Sequence, residues 1–129
     1  AKMLAYDYTT LFEGWGIGSE GFGGGTVNHA WSGGPLTILS QKLCGIEPTA
    51  PGFKAFEVKP RMATLKTASA SVETHYGMIR VQLSRRSAKS GVASLTVEVP
   101  EGTTATVTAS NGRPRTLAAG TYSLKIKVD

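Results

Sequence analysis

Sulfur and imidazole ligands are scarce in this chain of 129 residues, which contains one cysteine and two histidines. Because a disulfide needs two cysteines, Cys44 cannot form an intramolecular bridge, and a cysteine-based metal site is excluded as well. His29 and His75 lie far apart in the sequence, and neither has a second ligand at the spacing of a metal motif. We therefore expect no bound metal.

Long apolar runs are also missing. No stretch approaches the roughly 18 consecutive apolar residues that a membrane-spanning helix requires. The hydrophobic share of 40% and the mean hydropathy of -0.07 are those of an ordinary globular protein. We expect no membrane association.

Acidic residues are fewer than basic ones, nine against fourteen, so the formal net charge is +5. A basic balance raises the question of nucleic-acid binding. However, the basic residues are dispersed, and aromatic residues do not interleave with them as single-strand binding requires. Lys125 and Lys127 alternate with apolar neighbours, a pattern typical of the solvated face of a half-buried strand. The sequence predicts no nucleic-acid partner.

The first third of the chain has helical and glycine-rich segments. Leu36, Leu39 and Leu43 form one stripe of a predicted helix over residues 35–44, and Gly45 follows as its left-handed cap. Residues 3–12 are a second, weaker helical pattern. Between them, residues 14–34 hold nine of the sixteen glycines, and an irregular connection of this length is usually functional or disordered.

After Gly45 the sequence alternates between apolar and polar residues in short segments separated by turn signals, Asn111-Gly112 among them. Segments of this kind predict an antiparallel β-sandwich, so the fold class is mainly β. Tyr122 alternates in phase with Leu124 and is expected in the core. The predicted strands cover residues 53–59, 65–75, 79–84, 95–99, 103–109 and 122–128.

Two segments in this part of the chain carry side chains suited to proton transfer or to sugar binding. Glu13 lies between Phe12 and Trp15, and desolvation by aromatic neighbours suits a carboxylate to proton transfer. A helix-capping or solvated Glu13 remains an alternative. The segment GIGSEG at residues 16–21 matches a dinucleotide fingerprint formally, but no strand precedes it and no helix begins on it. We discard phosphate binding.

The second segment is NHAWSGGP at residues 28–35. Asn28 and His29 offer donors and acceptors to sugar hydroxyls, and Trp31 offers a flat apolar face for a pyranose ring. The alternative is a buried pair of His29 and Trp31 beside the following helix.

Three ordered motifs resemble the C-terminal stretch of the family-78 glycoside hydrolases, the bacterial α-L-rhamnosidases. They are TTLFEGW at residues 9–15, NHAWSGGP at residues 28–35, and GIEP followed by PGFK at residues 45–54. The resemblance continues through Pro60 and the YGMI segment at residues 76–79, so it covers most of residues 9–83. The chain departs from the family pattern at Phe12, where Trp is usual, and at Gly14, where a bulkier residue is usual.

The resemblance implies that residues 1–45 are the last helical hairpin and loop of a catalytic (α/α)6 barrel and that residues 46–129 are a C-terminal β-sandwich domain. It implies that Glu13 is the general base of an inverting α-L-rhamnosidase, and that His29 and Trp31, with the adjacent Asn28 and Trp15, bind the sugar. The parent enzyme would hydrolyse terminal rhamnose from glycans or glycosides without a cofactor. The general acid would lie outside this chain, so we expect the fragment alone to be inactive.

Two other functions remain open for the predicted sandwich. It could be a carbohydrate-binding module, although residues 60–129 contain only Tyr76 and Tyr122 as aromatic side chains for a binding platform. It could also be a purely structural accessory domain that supports the rest of the barrel. In that case, the leucine stripe of residues 36–43 is exposed without the barrel and favours self-association. The compartment of the bacterial parent is left open between cytoplasm, periplasm and secretion.

Overall fold

The computed structural model describes residues 10–14, 26 and 28–128. The chain divides into two compact units, Ala1–Thr37 and Ile38–Asp129. The domain boundary expected after residue 45 stays a prediction. The helix expected at residues 3–12 lies mostly outside the described residues, and the sandwich expected after Gly45 is present.

Eight strands form two four-stranded sheets. The first sheet has the order β1-β2-β6-β7, and the second has the order β3-β4-β5-β8. The strands are β1 (Ile46–Pro48), β2 (Ala55–Val58), β3 (Thr67–Thr74), β4 (Gly77–Ser84), β5 (Val92–Val99), β6 (Thr104–Val107), β7 (Arg115–Leu117) and β8 (Gly120–Lys127). Short 3-10 turns lie at Ala30–Gly33 and Pro51–Phe53.

All strand pairs of the second sheet are antiparallel, as predicted. The first sheet contains one exception, because β2 and β6 run parallel, with Phe56 opposite Ala105. Parallel neighbours need a long crossover between them. Here the crossover is the run of three strands β3, β4 and β5, so the parallel pair ties together segments about 50 residues apart in sequence.

The core lies between the two sheets and follows from the period of two in each strand. On β4 and β5 the alternate residues Ile79, Val81, Leu95 and Val97 are fully buried. The residues between them are exposed on β4 and half-buried on β5. Phe56 of β2 is the largest fully buried side chain. Tyr122 packs against this core, which confirms its prediction.

Two strands were missed by the sequence patterns. β1 and β7 are three residues long, and each lies at an edge of the first sheet. A segment of three residues is too short to display an alternation, and Pro48 and Pro114 argue against strands locally. Both segments become strands because a neighbour supplies the hydrogen-bonding edge, β2 for β1 and β6 for β7.

The helix predicted over residues 35–44 is present, but its type changes after residue 38. An α-helix, α1, covers Gly34–Ile38, and a π-helical turn follows over Leu39–Leu43. The Cys44 N–H donates to the Leu39 carbonyl at 3.1 Å, a bond across five residues. Leu36 and Leu39 are exposed and Leu43 is half-buried, so the predicted stripe is not covered within either unit.

Gly45 ends this turn in the left-handed conformation that was predicted, with φ of 78°. The reason goes beyond capping, because the backbone of Lys59 passes directly against it. A Cβ atom on Gly45 would lie 2.2 Å from the Lys59 carbonyl carbon. The Lys59 N–H donates to the Gly45 carbonyl at 3.0 Å, and the Arg61 N–H donates to the Leu43 carbonyl at 3.0 Å.

Arg85 joins the loop before β3 to the loop between β4 and β5. Its guanidinium is buried and donates to the carbonyls of Leu65 at 2.7 Å, Ser90 at 3.3 Å and Ala63. A buried cation needs such partners because an unpaired one would be strongly destabilising. Arg85 therefore holds the connection before β3 against the connection between β4 and β5.

We predict that Gly45→Ala lowers the free energy of unfolding by about 3 kcal/mol or more, since it combines a left-handed backbone with a backbone overlap. Gly52→Ala is the matched control, because Gly52 has φ of 63° but no atom lies within 4 Å of the place that its Cβ would occupy. The control should lose only about 1–2 kcal/mol. Urea denaturation of both variants measures this, and equal losses would contradict the steric role of Gly45.

The Cys44 thiol yields a second prediction. Cys44 is 1% exposed, and burial raises the pKa of its thiol above the ordinary value. The folded state therefore favours the neutral thiol. Its contribution to stability is full below the ordinary thiol pKa and is lost as the pH rises through the folded value. We expect the Cys44 thiol of the native protein to resist iodoacetamide. We also expect a rise to alkaline pH to lower the free energy of unfolding more in this protein than in a Cys44→Ala variant, when each is compared with its own value at neutral pH. Parallel alkaline profiles of the two proteins would refute this.

Candidate functional site

The first unit contains a local pairing of two segments that the sequence analysis had singled out separately. The His29 N–H donates to the Leu11 carbonyl at 2.8 Å, and the Glu13 N–H donates to the Thr26 carbonyl at 3.0 Å. These two bonds place residues 11–13 beside residues 26–29. The pairing brings the predicted carboxylate and the predicted imidazole to the same place, although they are sixteen residues apart in sequence.

The Glu13 carboxylate is held in one orientation. Its Oε2 accepts a hydrogen bond from the Thr26 N–H at 2.9 Å and lies 3.9 Å from His29 Nδ1. The Glu13 and His29 side chains are 40% and 29% exposed, so water reaches both groups. The hydrogen bond from the Thr26 N–H fixes the position of Oε2 and leaves the other carboxylate oxygen for a further contact. The arrangement fits a base beside water.

Trp31 stands next to this pair. Its ring meets the His29 ring edge-on, with centroids 5.6 Å apart and planes at 72°. Trp31 is 87% exposed, so the alternative of a buried pair with His29 is wrong for the tryptophan. An indole in solvent beside a polar imidazole offers an apolar face and a hydrogen-bonding edge, which together suit a sugar ring.

Two residues that sequence reasoning overlooked support the pairing. Thr26 supplies the backbone donor to Glu13, and its hydroxyl donates to the Asn28 carbonyl at 3.2 Å. The Ser32 hydroxyl donates to the carbonyl of Phe12, a buried residue, at 2.6 Å. Ser32 lies within the motif at residues 28–35 and could have been noticed. Thr26 acts mainly through its backbone, which leaves no signature in a side-chain pattern.

The other predicted site residues are placed less tightly. Asn28 is exposed, and its backbone carbonyl takes part in the contact with Thr26. Trp15 lies outside the described residues. The structure therefore brings together Glu13, His29 and Trp31 out of the predicted set.

Glu13 is the sole acidic residue in the part of the first unit that is described, residues 10–14, 26 and 28–37. A glycosidase needs two carboxyl groups, about 6.5–9.5 Å apart when the reaction inverts the anomeric carbon. One carboxylate can activate water but cannot at the same time protonate the leaving oxygen. The described part of the first unit thus contains one carboxyl group where such a mechanism needs two.

The described residues contain no cluster of metal-ligating side chains. No group of three or more His, Cys, Asp or Glu side chains converges within residues 10–14, 26 and 28–128. Over the same residues, no helix is long and apolar enough to cross a membrane.

A protein-family model described as the bacterial alpha-L-rhamnosidase C-terminal domain matches residues 45–122. This range covers more than half of the chain and includes most of the sandwich. The chain belongs to this family. The match begins at the glycine that closes the helical turn and ends within β8.

Solved structures agree on the fold of the rhamnosidase C-terminal domain. An alpha-L-rhamnosidase from Dictyoglumus thermophilum is 18% identical with a TM-score of 0.74, and the match covers 97% of this chain and 17% of that one. An alpha-L-rhamnosidase from Aspergillus terreus is 24% identical with a TM-score of 0.69, and the match covers 79% of this chain and 12% of that one. The alpha-L-rhamnosidase from Streptomyces avermitilis, complexed with L-rhamnose, is 23% identical with a TM-score of 0.67. That match covers 92% of this chain and 14% of the other.

At these identities the likeness establishes the fold. The chain spans 12% to 17% of the length of these solved structures, so most of each of them has no counterpart here. No curated protein matches the sequence significantly.

Proposed function

We propose that this chain is the C-terminal part of an inverting α-L-rhamnosidase and that Glu13 is its general base. The observation that carries the proposal is the Glu13 carboxylate, oriented by the Thr26 N–H at 2.9 Å and accompanied by His29 at 3.9 Å. This group precedes a domain of the rhamnosidase family in the same chain. The substrates are rhamnose-containing glycans or glycosides, from which the parent enzyme removes terminal rhamnose.

In the proposed mechanism, Glu13 takes a proton from a water molecule as that water attacks the anomeric carbon. A carboxyl group from another part of the parent protonates the leaving oxygen on the opposite face of the sugar. His29 and Trp31 contact the rhamnose ring, with Asn28 and Trp15 as further binding residues. No step requires a metal or another cofactor.

The proposed role of residues 46–129 is structural. A carbohydrate-binding platform needs accessible aromatic faces, and Tyr76 is the exposed aromatic residue among residues 38–128. Lys54 Nζ lies over the Tyr76 ring, 5.2 Å from its centroid, and also donates to the Gly102 carbonyl at 2.8 Å. This ring face is therefore occupied by a cation, which disfavours the binding-module alternative. The proposal places the domain boundary after residue 45.

The parent enzyme tests the assignment of Glu13. We expect Glu13→Gln to lower kcat by about 10²–10⁴-fold with little change in KM, because the base acts in the chemical step. Glu98→Gln is the control, since Glu98 pairs with Arg80 on the outer face of the sandwich at 2.6 Å. Hydrolysis of an aryl rhamnoside measures both. NMR of the first sugar formed should show the inverted anomer, and retention would refute the inverting mechanism.

The isolated chain supplies a further arm of the same experiment. It should not hydrolyse the aryl rhamnoside, because the proposed mechanism takes its second carboxyl group from another part of the parent. Turnover by the pure chain, at a rate above that of its Glu13→Gln variant, would contradict the need for the rest of the barrel.

We also predict that the isolated chain self-associates, since the barrel would normally cover apolar side chains of the helical segment. Ile38 and Leu39 are 61% and 53% exposed, and exposed apolar groups at one place favour association. The variant Ile38→Gln/Leu39→Gln should shift light scattering towards the monomer at high concentration. Leu65→Gln, which removes a leucine that is 43% exposed elsewhere, should not. A monomeric unmodified chain would sink the prediction.

A further inference from the structure

The peptide group between Phe12 and Glu13 is held by hydrogen bonds on both of its sides. The Ser32 hydroxyl donates to the Phe12 carbonyl at 2.6 Å. On the opposite side, the Glu13 N–H donates to the Thr26 carbonyl at 3.0 Å. A peptide group is planar and nearly rigid, so two bonds on opposite sides restrict its rotation. The backbone from which the Glu13 side chain extends is therefore held in place.

Ser32 is itself fixed by the short 3-10 turn in which it lies. The turn covers Ala30–Gly33, and the Ser32 N–H donates to the His29 carbonyl at 3.1 Å. The His29 N–H in its turn donates to the Leu11 carbonyl at 2.8 Å. The imidazole beside Glu13 and the hydroxyl that holds the preceding peptide are thus attached to the same turn.

The bond from Ser32 lies on the protected side of this pairing. Phe12 is 4% exposed and Ser32 is half-buried, whereas the Glu13 side chain is 40% exposed. A hydrogen bond in a partly buried place is stronger than one in water, because the local dielectric constant is lower. Ser32 therefore restrains the protected start of the Glu13 side chain, and the Thr26 N–H restrains its tip at Oε2.

We propose that Ser32 is a positioning residue for the Glu13 carboxylate. The inference rests on the proposed function, in which Glu13 takes a proton from the attacking water. Proton transfer depends on the distance and direction between the carboxylate and that water, and a displacement of about 1 Å can slow a reaction about 100-fold. In this role Ser32 acts through the peptide that precedes Glu13 and makes no contact with the sugar.

Ser32→Ala in the parent enzyme tests this inference, because it removes the hydroxyl and keeps the backbone donors of His29 and Thr26. We expect kcat for an aryl rhamnoside to fall about tenfold or more, with KM changed less than about twofold, since the base is displaced in the chemical step. Ser90→Ala is the matched control and should keep the unmodified kcat. The Ser90 hydroxyl also donates to a backbone carbonyl, that of Val92 at 2.9 Å, but within the sandwich.

The Glu13→Gln variant separates positioning from a general loss of structure. If Ser32 acts through the Glu13 carboxylate, adding Ser32→Ala to Glu13→Gln should lower kcat less than about threefold further. Losses that multiply in the double variant would overturn the inference. An unchanged kcat or a change in KM alone for Ser32→Ala would overturn it too, as would an equal loss of kcat in the Ser90→Ala control.

Circular dichroism checks that the variants of the parent are folded. Should Ser32→Ala unfold, Ser32→Cys takes its place, because a thiol is close in size to the hydroxyl but is a weak donor. Folded Ser32→Cys should then lower kcat. Full kcat in that variant, or unfolding of both, would contradict the inference, since Ser32 would serve the fold and not the position of Glu13.

Failure of the inference is distinguishable from failure of the proposed function. A large loss of kcat in Glu13→Gln beside an unchanged kcat in Ser32→Ala would remove the inference alone. An unchanged kcat in Glu13→Gln would remove the proposed function, whatever Ser32→Ala does.

Discussion

Two backbone segments pass in direct contact at Gly45, and the arrangement of the second unit follows from that contact. The Lys59 backbone lies where a side chain would begin, so the position accepts only glycine without rearrangement. Cys44 and Ile46, on either side of it, are both fully buried in the core. The same contact pairs β1 with β2 and fixes the segment that carries Lys59 and Arg61. One glycine thereby links the helical turn to an edge strand of the first sheet.

Chemistry and stability are divided between different parts of the chain. The sandwich gains its stability from alternating apolar residues of two sheets and from a parallel strand pair that closes a long loop. Its outer faces carry polar and charged residues without converging acids in the described range. Glu13, which we propose as the general base, belongs to the other unit, and the proposed mechanism requires a partner acid.

The strands with clear alternation were predictable because a buried face imposes a period of two. β4 and β5 are examples, since each buries every second residue along its length. β1 and β7 were not predictable, because three residues have no period and their strand character comes from a neighbour. The π-helical turn was also hidden, because the leucine spacing at residues 36–43 fits an α-helix equally well. Its geometry is decided where Leu43 accepts a hydrogen bond from Arg61, far along the sequence.

Residue order was enough to establish the residue types of the site, the alternation that makes a sandwich, and the motifs that pointed to the rhamnosidase family. These features are local, since residue chemistry, strand period and turn glycines act over a few neighbouring positions. Folding in three dimensions was needed to establish that the Thr26 N–H orients Glu13 and that β2 and β6 run parallel. Each of these depends on contacts between distant segments, which the order of residues along the chain does not display.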